Sequence, residues 1–233
     1  MTGEQQTAVL LFTRTVADEA AAKDFSGLHH QKANALIANK IISHSYKIIS
    51  QSGLPFFIID SAHQKGNTFS ERFANAIEEV YKSGFENVIA IGNDCPGLTS
   101  ADLLNTKKQL ENNCSVTGPT KDGGLYLIGL EKKYFNFSSF TQLPWESDTI
   151  HDAFTIYLSE QSANFVSCTV KYDINDHADI HKLLKSFSAS LKLRLYILSV
   201  IKSITKKLPV YKIIFRNTQL QFFSSLRAPP SIL

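Results

Sequence analysis

The chain has 233 residues, 43% of them hydrophobic and 19% charged, which is enough length and apolar content to bury a sizeable core. This composition excludes a disordered chain and favours one large domain. The three cysteines, Cys95, Cys114 and Cys168, match neither a disulfide framework nor a CxxC zinc site, which fits a reducing compartment. Because the N-terminus lacks a secretory signal and no run reaches about 18 apolar residues, we expect a cytoplasmic protein.

Charge is divided unevenly along the chain, although the net charge is only +3. Residues 1–179 contain 14 basic and 21 acidic side chains, whereas residues 180–233 contain ten basic side chains and no acidic one. Such an asymmetry bears on partners rather than on fold. We therefore expect a domain at residues 1–185 and a basic, mostly helical extension at residues 186–233.

Apolar runs alternate with helical periodicity through most of the sequence. The runs predict strands at residues 7–13, 55–60, 87–92, 115–118, 125–130 and 165–172. Periodicity and capping residues predict helices that end near residue 53, that cover 68–83, 99–112 and 148–159, and that continue from 178. This order predicts an α/β domain with a mostly parallel mixed sheet flanked by helices.

Acidic residues follow three of the predicted strands. Asp60, Asp94 and Asp173 each come at a strand's carboxyl end, where open sheets of this kind bind their ligands. We expect the three carboxylates to share one rim. Carboxylate oxygens suit a hard cation such as Mg²⁺ or Mn²⁺, so this rim is a predicted cation site.

Three blocks of sequence carry the predicted chemistry: GNDCPGL at residues 92–98, GPTKDGGLYLIG at 118–129 and PWESDT at 144–149. A carboxylate that leaves a buried strand, here Asp94, can hold Mg²⁺ or Mn²⁺. Such a cation bridges two phosphates and neutralises the charge on a departing nucleoside diphosphate. Gly123 and Gly124 carry no side chain, so a sugar or diphosphate can approach the backbone there.

In this order the blocks resemble the hallmarks of a known family: G-S-D-C-P-G-L, then G-P-x-x-D-G-G-Y-Y-L-I-G, then P-W-x-x-D-T. The family consists of small bacterial transferases of the GT-A-type nucleotide-diphospho-sugar transferase superfamily. They are often found near radical-SAM and selenoprotein-related domains and are related to cofactor guanylyltransferases. The resemblance covers about residues 7–184, and it implies a GT-A fold, a divalent metal held at Asp94 and a nucleotide-linked donor.

The first departure from the family lies after the first strand. The family has a loop there that bears Gly and Lys and cradles the nucleotide, whereas this chain has RTVADEAAAK at residues 14–23, without glycine. Arg14 and Lys23 are the remaining candidates for binding phosphate. Asp18 and Glu19, which lie between them, oppose that role.

The second departure concerns the family's late D-x-D, which corresponds to DIND at residues 173–176. The second metal carboxylate is therefore Asp173, Asp176 or neither, and we assign Asp173. We assign Asp122 as the catalytic residue, either a metal ligand or a base toward the acceptor hydroxyl. Its alternative role is to form the turn, because Asp-Gly is a common turn pair.

Three further residues are assigned to the ligand site. Arg72 is a candidate for contacting phosphate, and Asn93 lies beside Asp94. Trp145, the only tryptophan of the sequence, is either a platform on which the acceptor stacks or part of the core. Cys95 is expected to be a small buried residue beside the site, without a base to make it a thiolate.

The reading that these residues favour is a metal-dependent glycosyltransferase that uses a nucleotide-diphosphate sugar donor and a small-molecule acceptor. The first alternative is a nucleotidyltransferase that joins a nucleoside triphosphate to a phosphorylated small molecule. The second is a non-catalytic nucleotide-binding protein of the same fold. We expect no nucleic-acid partner, because no recognition module accompanies the basic residues.

The segment after Asp179 has the pattern of an amphipathic helix. On one helical projection, its basic arc contains Lys185, Lys192, Lys202, Lys206 and Lys207, and its apolar side contains Leu193, Ile197, Val200, Ile201 and Ile204. Two readings follow. The basic arc contacts an anionic membrane surface as an interfacial helix does, or the apolar side packs on the domain or on a second copy, as in a homodimer.

Overall fold

The computed structural model describes residues 7–186 and 189–205. Its strands are β1 (Thr7–Phe12), β2 (Phe56–Ile59), β3 (Asn87–Ile91), β4 (Ser115–Pro119), β5 (Leu125–Glu131) and β6 (Phe165–Ser167). Its α-helices are α1 (Val16–Ala22), α2 (Gln31–Ser52), α3 (Phe69–Lys82), α4 (Ser100–Glu111), α5 (Phe137–Thr141), α6 (Ile150–Glu160), α7 (His177–Lys185) and α8 (Leu191–Thr205). One 3₁₀ turn, Lys132–Tyr134, follows β5.

The six strands form one mixed sheet in the order β2-β1-β3-β5-β4-β6. β1 pairs in parallel with β2 and β3, and β4 pairs in parallel with β6. β5 is antiparallel to both β3 and β4, because the turn from β4 to β5 is too short for the crossover that a parallel pair requires. The predicted α/β fold, with a mostly parallel mixed sheet between helices, is confirmed.

Helices cover both faces of the sheet. Leu10 and Leu11 are neighbours in β1 and both are fully buried, so their side chains enter opposite halves of the core. Leu10 packs in a cluster with Ile77 of α3, and Leu11 packs in a cluster with Leu103 of α4. The sheet therefore has no solvated face along β1, and ligands must approach at its edges or at the ends of its strands.

Capping residues set the starts of α3 and α4 as predicted. The Thr68 hydroxyl accepts from the Glu71 amide at 3.1 Å, and the Glu71 carboxylate accepts from the Thr68 amide. Thr99 and Asp102 form the same reciprocal pair at the start of α4. Each pair satisfies amide groups that have no partner within the helix, which is why these starts can be read from sequence.

Two segments differ from the predicted elements. The segment at residues 14–23, expected to be a loop, contains the short helix α1, whose N-cap Thr15 accepts from the Asp18 amide at 3.2 Å. The last strand was expected over residues 165–172 but stops at Ser167. Its partner β4 ends at Pro119, which has no amide hydrogen to continue a ladder, and only an isolated bridge between Thr120 and Lys171 follows.

The basic C-terminal helix is not continuous. α7 ends at Lys185 and α8 begins at Leu191, so the projection that placed Lys185 and Lys192 on one helix is wrong. Lys206 and Lys207, which that projection also used, lie outside the described residues. The boundary between a domain at 1–185 and an extension at 186–233 stays a prediction.

α8 packs on the body of the protein. Leu193 and Ile197 are buried in a cluster with Ile37 and Ile41 of α2, as the packing reading of this face predicted. Leu191 and Leu195 lie on the opposite side and are 62% and 55% exposed. Within the described ranges, no helix is long and apolar enough to cross a membrane.

Candidate functional site

Asp94 lies three residues after the end of β3, at the carboxyl end of the strand as the sequence predicted. A side chain at Gly92 would place its Cβ 2.8 Å from Asp94 Oδ1, so this glycine leaves the space into which the carboxylate folds. The Asp94 carbonyl accepts from the Ile174 amide at 2.8 Å, which joins the end of β3 to the segment that follows β6. The carboxylate is about one-third exposed, at 32%, and is therefore open to a ligand.

Lys23 connects three parts of the chain at this point. Its Nζ lies 3.2 Å from Asp94 Oδ2 and 3.2 Å from Glu19 Oε1, and it donates to the Ile174 carbonyl at 3.0 Å. Burial acts to lower the pKa of Lys23, but the Asp94 and Glu19 carboxylates outweigh it and the pKa is raised. In this arrangement the ammonium neutralises Asp94, and a contact with donor phosphate requires Lys23 to leave that carboxylate.

Glu19 organises the residues around Lys23 and is almost fully buried, with 2% of its side chain exposed. Arg14 Nη1 lies 3.1 Å from Glu19 Oε2, and Asn93 Nδ2 donates to Glu19 Oε1 at 3.2 Å. Asn93 Oδ1 accepts from the Thr13 hydroxyl at 3.0 Å, so both ends of this buried amide are used. Arg14 is 49% exposed and keeps part of its guanidinium free for another partner.

Asp173 is the carboxylate beside Asp94 that lacks a partner. Its Oδ1 is enclosed and accepts no hydrogen bond from any described residue. Burial, and then the Asp94 and Asp122 carboxylates, raise the pKa of Asp173 to about 8. Asp176, the alternative second carboxylate, accepts from the Asp179 amide at 2.9 Å and caps α7, so it has a structural role instead.

The predicted rim of three acids is correct for two of them. In the described part of the chain, Asp122 joins Asp94 and Asp173, and Asp60 does not. Asp60 Oδ1 instead accepts from the Ala62 amide and contacts His63 Nδ1 at 2.6 Å. The correction has a topological reason: β2, which precedes Asp60, is an edge strand at the far side of β1 from β3.

The carboxylates are not already arranged as a closed metal site. Within residues 7–186 and 189–205, no three His, Cys, Asp or Glu side chains form a ligand set by themselves. Mg²⁺ commonly uses one or two carboxylates and takes its other ligands from water and substrate phosphates. The enclosed oxygen of Asp173 beside the open carboxylate of Asp94 fits that pattern.

A cavity of about 600 Å³ lies above these carboxylates. Asp94 and Asp173 line one end, and Arg14, Arg72, Gly124 and Trp145 line its walls. Arg72 Nη1 donates to the Asn67 carbonyl at 3.3 Å and pairs with no carboxylate among the described residues. Seven of the residues predicted from sequence to bind donor or metal, Asn93 among them, therefore line one cavity.

Trp145 serves the core and the cavity together. Its ring centroid lies 4.5 Å from that of Phe140 and 4.9 Å from that of Phe73, and its Nε1 donates to the Phe140 carbonyl at 2.8 Å. These contacts fix the indole plane. Because Trp145 also lines the cavity, the two readings of this tryptophan, core residue and ligand platform, are compatible.

The turn at residues 122–124 has a structural requirement of its own. Gly123 has a φ of +87°, and a Cβ there would lie 1.8 Å from the Asp148 carbonyl oxygen. A Cβ at Gly124 would lie 2.6 Å from Thr120 Oγ1, and Gly124 faces the cavity. The close approach at Gly123 is therefore to the chain itself, which corrects the expectation that this glycine makes room for a donor.

Comparison with known proteins gives a match to one family model, over part of the chain, and several structures of similar fold. Residues 57–147 match the family described as "Uncharacterized protein conserved in bacteria (DUF2064)". The structure is similar to that of a nucleotide-diphospho-sugar transferase from Desulfovibrio desulfuricans G20, with a TM-score of 0.71 and 15% identity. That alignment covers 85% of this chain and 97% of the other. Comparison with curated proteins gives no match.

The chain has the nucleotide-diphospho-sugar transferase fold. Two further structures are less similar, with TM-scores below 0.5. One is to Rv0371c of Mycobacterium tuberculosis H37Rv in complex with manganese, with a TM-score of 0.42, 11% identity, and coverage of 78% of this chain and 99% of that one. The other is to a cytidylyltransferase of Leptospira borgpetersenii, with a TM-score of 0.38, 13% identity, and coverage of 86% and 94%.

Glu19 was predicted from sequence to oppose phosphate binding, but in the structure it is the buried carboxylate that contacts Arg14, Lys23 and Asn93. Its spacing of four residues from Lys23 was the available signal, because i and i+4 side chains lie together on a helix. This spacing predicts a contact only on a helix, and residues 14–23 were expected to form a loop. Cys95 is buried as predicted, and burial, with the nearby Asp173 and Asp94 carboxylates, raises its pKa far above the ordinary value.

Proposed function

We propose that the chain is a metal-dependent transferase that takes a nucleotide-diphosphate sugar as donor and acts in the cytoplasm. The observation that carries the proposal is the enclosed, unpartnered oxygen of Asp173 beside Asp94, at one end of the cavity. A buried polar atom without a partner is costly to the fold, so its persistence favours a ligand that completes it. A divalent cation is the ligand that two neighbouring carboxylates suit.

The cation would be Mg²⁺ or Mn²⁺, held by Asp94 and Asp173. When bound, it supplies positive charge to the diphosphate of the donor and so makes the nucleoside diphosphate a better leaving group. The cavity's volume of about 600 Å³ is in the range of small-molecule sites.

Two arginines support a diphosphate in this cavity. Arg72 pairs with no described carboxylate, and Arg14 is half exposed beside Glu19. Guanidinium groups bind phosphate oxygens with two parallel hydrogen bonds, which gives orientation as well as charge. Trp145 and Gly124 contribute a flat wall and an open stretch of backbone for the remaining donor groups.

Asp122 is our proposed base for the acceptor. Its Oδ1 accepts from the Thr120 hydroxyl, which fixes the carboxylate, and its other oxygen stays available on an exposed side chain. The acceptor would approach from this side, since Asp122 faces Asp173 from outside the donor cavity.

Thermal melting with Mn²⁺ and a panel of nucleotides tests the donor class. A nucleotide sugar at about a hundred times its dissociation constant should stabilise the protein by about 2.7 kcal/mol. Greater stabilisation by nucleoside triphosphates would instead indicate a nucleotidyltransferase. No stabilisation by any nucleotide would contradict both and leave a non-catalytic protein of this fold.

Asp94→Asn tests the metal role directly. The amide keeps the shape of the side chain and removes the charge that a hard cation needs, so Mn²⁺-dependent nucleotide binding should be lost in calorimetry. Asp152→Asn is the matched control, because the Asp152 side chain is 85% exposed and lines no part of the cavity. Equal Mn²⁺-dependent affinity in Asp94→Asn and the parent would overturn the proposed role of Asp94.

A further inference from the structure

A second cavity, of about 800 Å³, adjoins the first through Asp173, which lines both. Its walls include Lys121 and Asp122 from the β4–β5 turn, Val170, Lys171 and Tyr172 from the segment after β6, and Lys182 from α7. The proposed base Asp122 therefore belongs to this cavity and not to the donor cavity. Two cavities that meet at the proposed cation site have the arrangement that a two-substrate transfer needs.

We propose that the second cavity binds the acceptor, and that the acceptor is a hydroxyl compound with an anionic group and an apolar body. This proposal rests on the proposed transferase function. The anionic group, a carboxylate or a phosphate, would be held by Lys121. The apolar body would lie against Val170 and Tyr172.

Two of the three lysines in the walls of the second cavity already have carboxylate partners. Lys171 Nζ lies 3.1 Å from Asp102 Oδ2 and donates to the Gly97 carbonyl at 3.0 Å. Lys182 Nζ lies 2.9 Å from Asp179 Oδ1. By contrast, Lys121 forms no ion pair with any described carboxylate.

The position of Lys121 also restrains its side chain. Its Nζ lies over the Tyr172 ring, 5.4 Å from the ring centroid, which is a cation–π distance. This contact holds the ammonium at the cavity without neutralising it. An unneutralised cation in a cavity wall is a binding group for an anion, and it selects against neutral compounds of the same shape.

The same wall also presents exposed apolar side chains to the cavity. Val170 and Tyr172 are 58% and 59% exposed, and both line the cavity. They follow β6, the edge strand, so the described strands do not cover them. An acceptor with an apolar body would bury this area beside its own anionic group, which combines affinity with orientation.

The transfer step places each group in one of the two cavities. The acceptor hydroxyl oxygen bonds to the anomeric carbon of the donor sugar while the bond from that carbon to the diphosphate oxygen breaks. The hydroxyl proton passes to the Asp122 carboxylate. The electron pair of the broken bond leaves with the nucleoside diphosphate in the first cavity.

Ligand binding to the full chain tests the proposal with matched probes. The anionic probes are 4-hydroxyphenylacetate, glycerate and glycerol 3-phosphate, and their neutral counterparts are tyrosol for the first and glycerol for the other two. Dissociation constants are measured by saturation-transfer NMR for the parent, for Lys121→Gln and for the control Lys108→Gln, another exposed lysine without an ion pair among the described residues. The carboxylate and phosphate arms show which anion the cavity prefers.

We expect at least one anionic probe to bind about tenfold more tightly than its neutral counterpart, and Lys121→Gln to remove that preference while Lys108→Gln keeps it. Equal binding of charged and neutral probes, binding of no probe, or an unchanged preference in Lys121→Gln would overturn the proposal.

The failure of this proposal and the failure of the proposed function give different results. If nucleotide sugars fail to stabilise the protein but an anionic probe binds through Lys121, the transferase function is wrong and the cavity is an anion site of another kind. If nucleotide sugars bind with Mn²⁺ and the probes show no dependence on Lys121, the transferase remains and the acceptor class proposed here is wrong.

Discussion

Asp173→Asn keeps the size of a side chain at the floor of the site and removes its ability to ionise. Burial and two neighbouring carboxylates raise the pKa of Asp173 to about 8 from the ordinary 3.8. The folded chain therefore keeps a proton on this group that the unfolded chain releases at neutral pH. Without a bound cation, we expect the substitution to raise the free energy of unfolding.

The size of the effect follows from the two pKa values. Each pH unit over which only one state holds the proton changes the free energy of unfolding by about 1.36 kcal/mol. From 3.8 to about pH 7 this gives an upper limit of about 4.4 kcal/mol, and partial solvent access reduces our expectation to about 2–3 kcal/mol. In the parent, the loss of unfolding free energy that Asp173 causes is absent below about pH 4. This loss grows as the pH rises and is complete above about pH 8.

The assay is thermal melting in a chelator at about pH 4.5 and about pH 7.5. For a chain of this size, about 2–3 kcal/mol corresponds to about 4–12 °C at the higher pH, with little difference at the lower one. Asp152→Asn should melt with the parent at both. Added Mn²⁺ should stabilise the parent and not Asp173→Asn. A variant that melts at or below the parent at pH 7.5 would refute this account of Asp173.

Two further predictions concern the turn and the C-terminal helix. Gly123→Ala should lower the free energy of unfolding by about 3 kcal/mol in chemical denaturation, because of its positive φ and the Asp148 carbonyl. Gly124→Ala meets the Thr120 and Asp122 side chains rather than backbone, so it should cost about 1 kcal/mol or less while weakening nucleotide binding; equal losses would contradict this distinction. The exposed Leu191 and Leu195, with the basic extension, should carry the chain onto anionic vesicles at low salt, and replacing both with glutamine should reduce co-sedimentation. If the parent ignores such vesicles, light scattering will show whether this face joins a homodimer or stays exposed on a monomer.

The elements that sequence predicted well depend on neighbouring residues. The capping pairs at Thr68 and Thr99 act over three residues, and the apolar run of β3 is read directly from its letters. The three sequence blocks at residues 92–98, 118–129 and 144–149 also lie at the site, because each is within a few residues of a strand end or a tight turn. Such features depend on residues that are close together in sequence, so they can be predicted without knowledge of the tertiary structure.

The sequence by itself determined the fold class, the strand that precedes Asp94 and the residues that surround one cavity. Tertiary structure decided the partners of those residues. Lys23 meets Asp94 across 71 positions and Ile174 across 151, Asp122 replaces Asp60 beside Asp173, and Asp176 turns to cap α7. The order of strands in the sheet sets these pairings, and no local pattern encodes that order, because hydrogen bonding between strands depends on backbone groups that every residue shares.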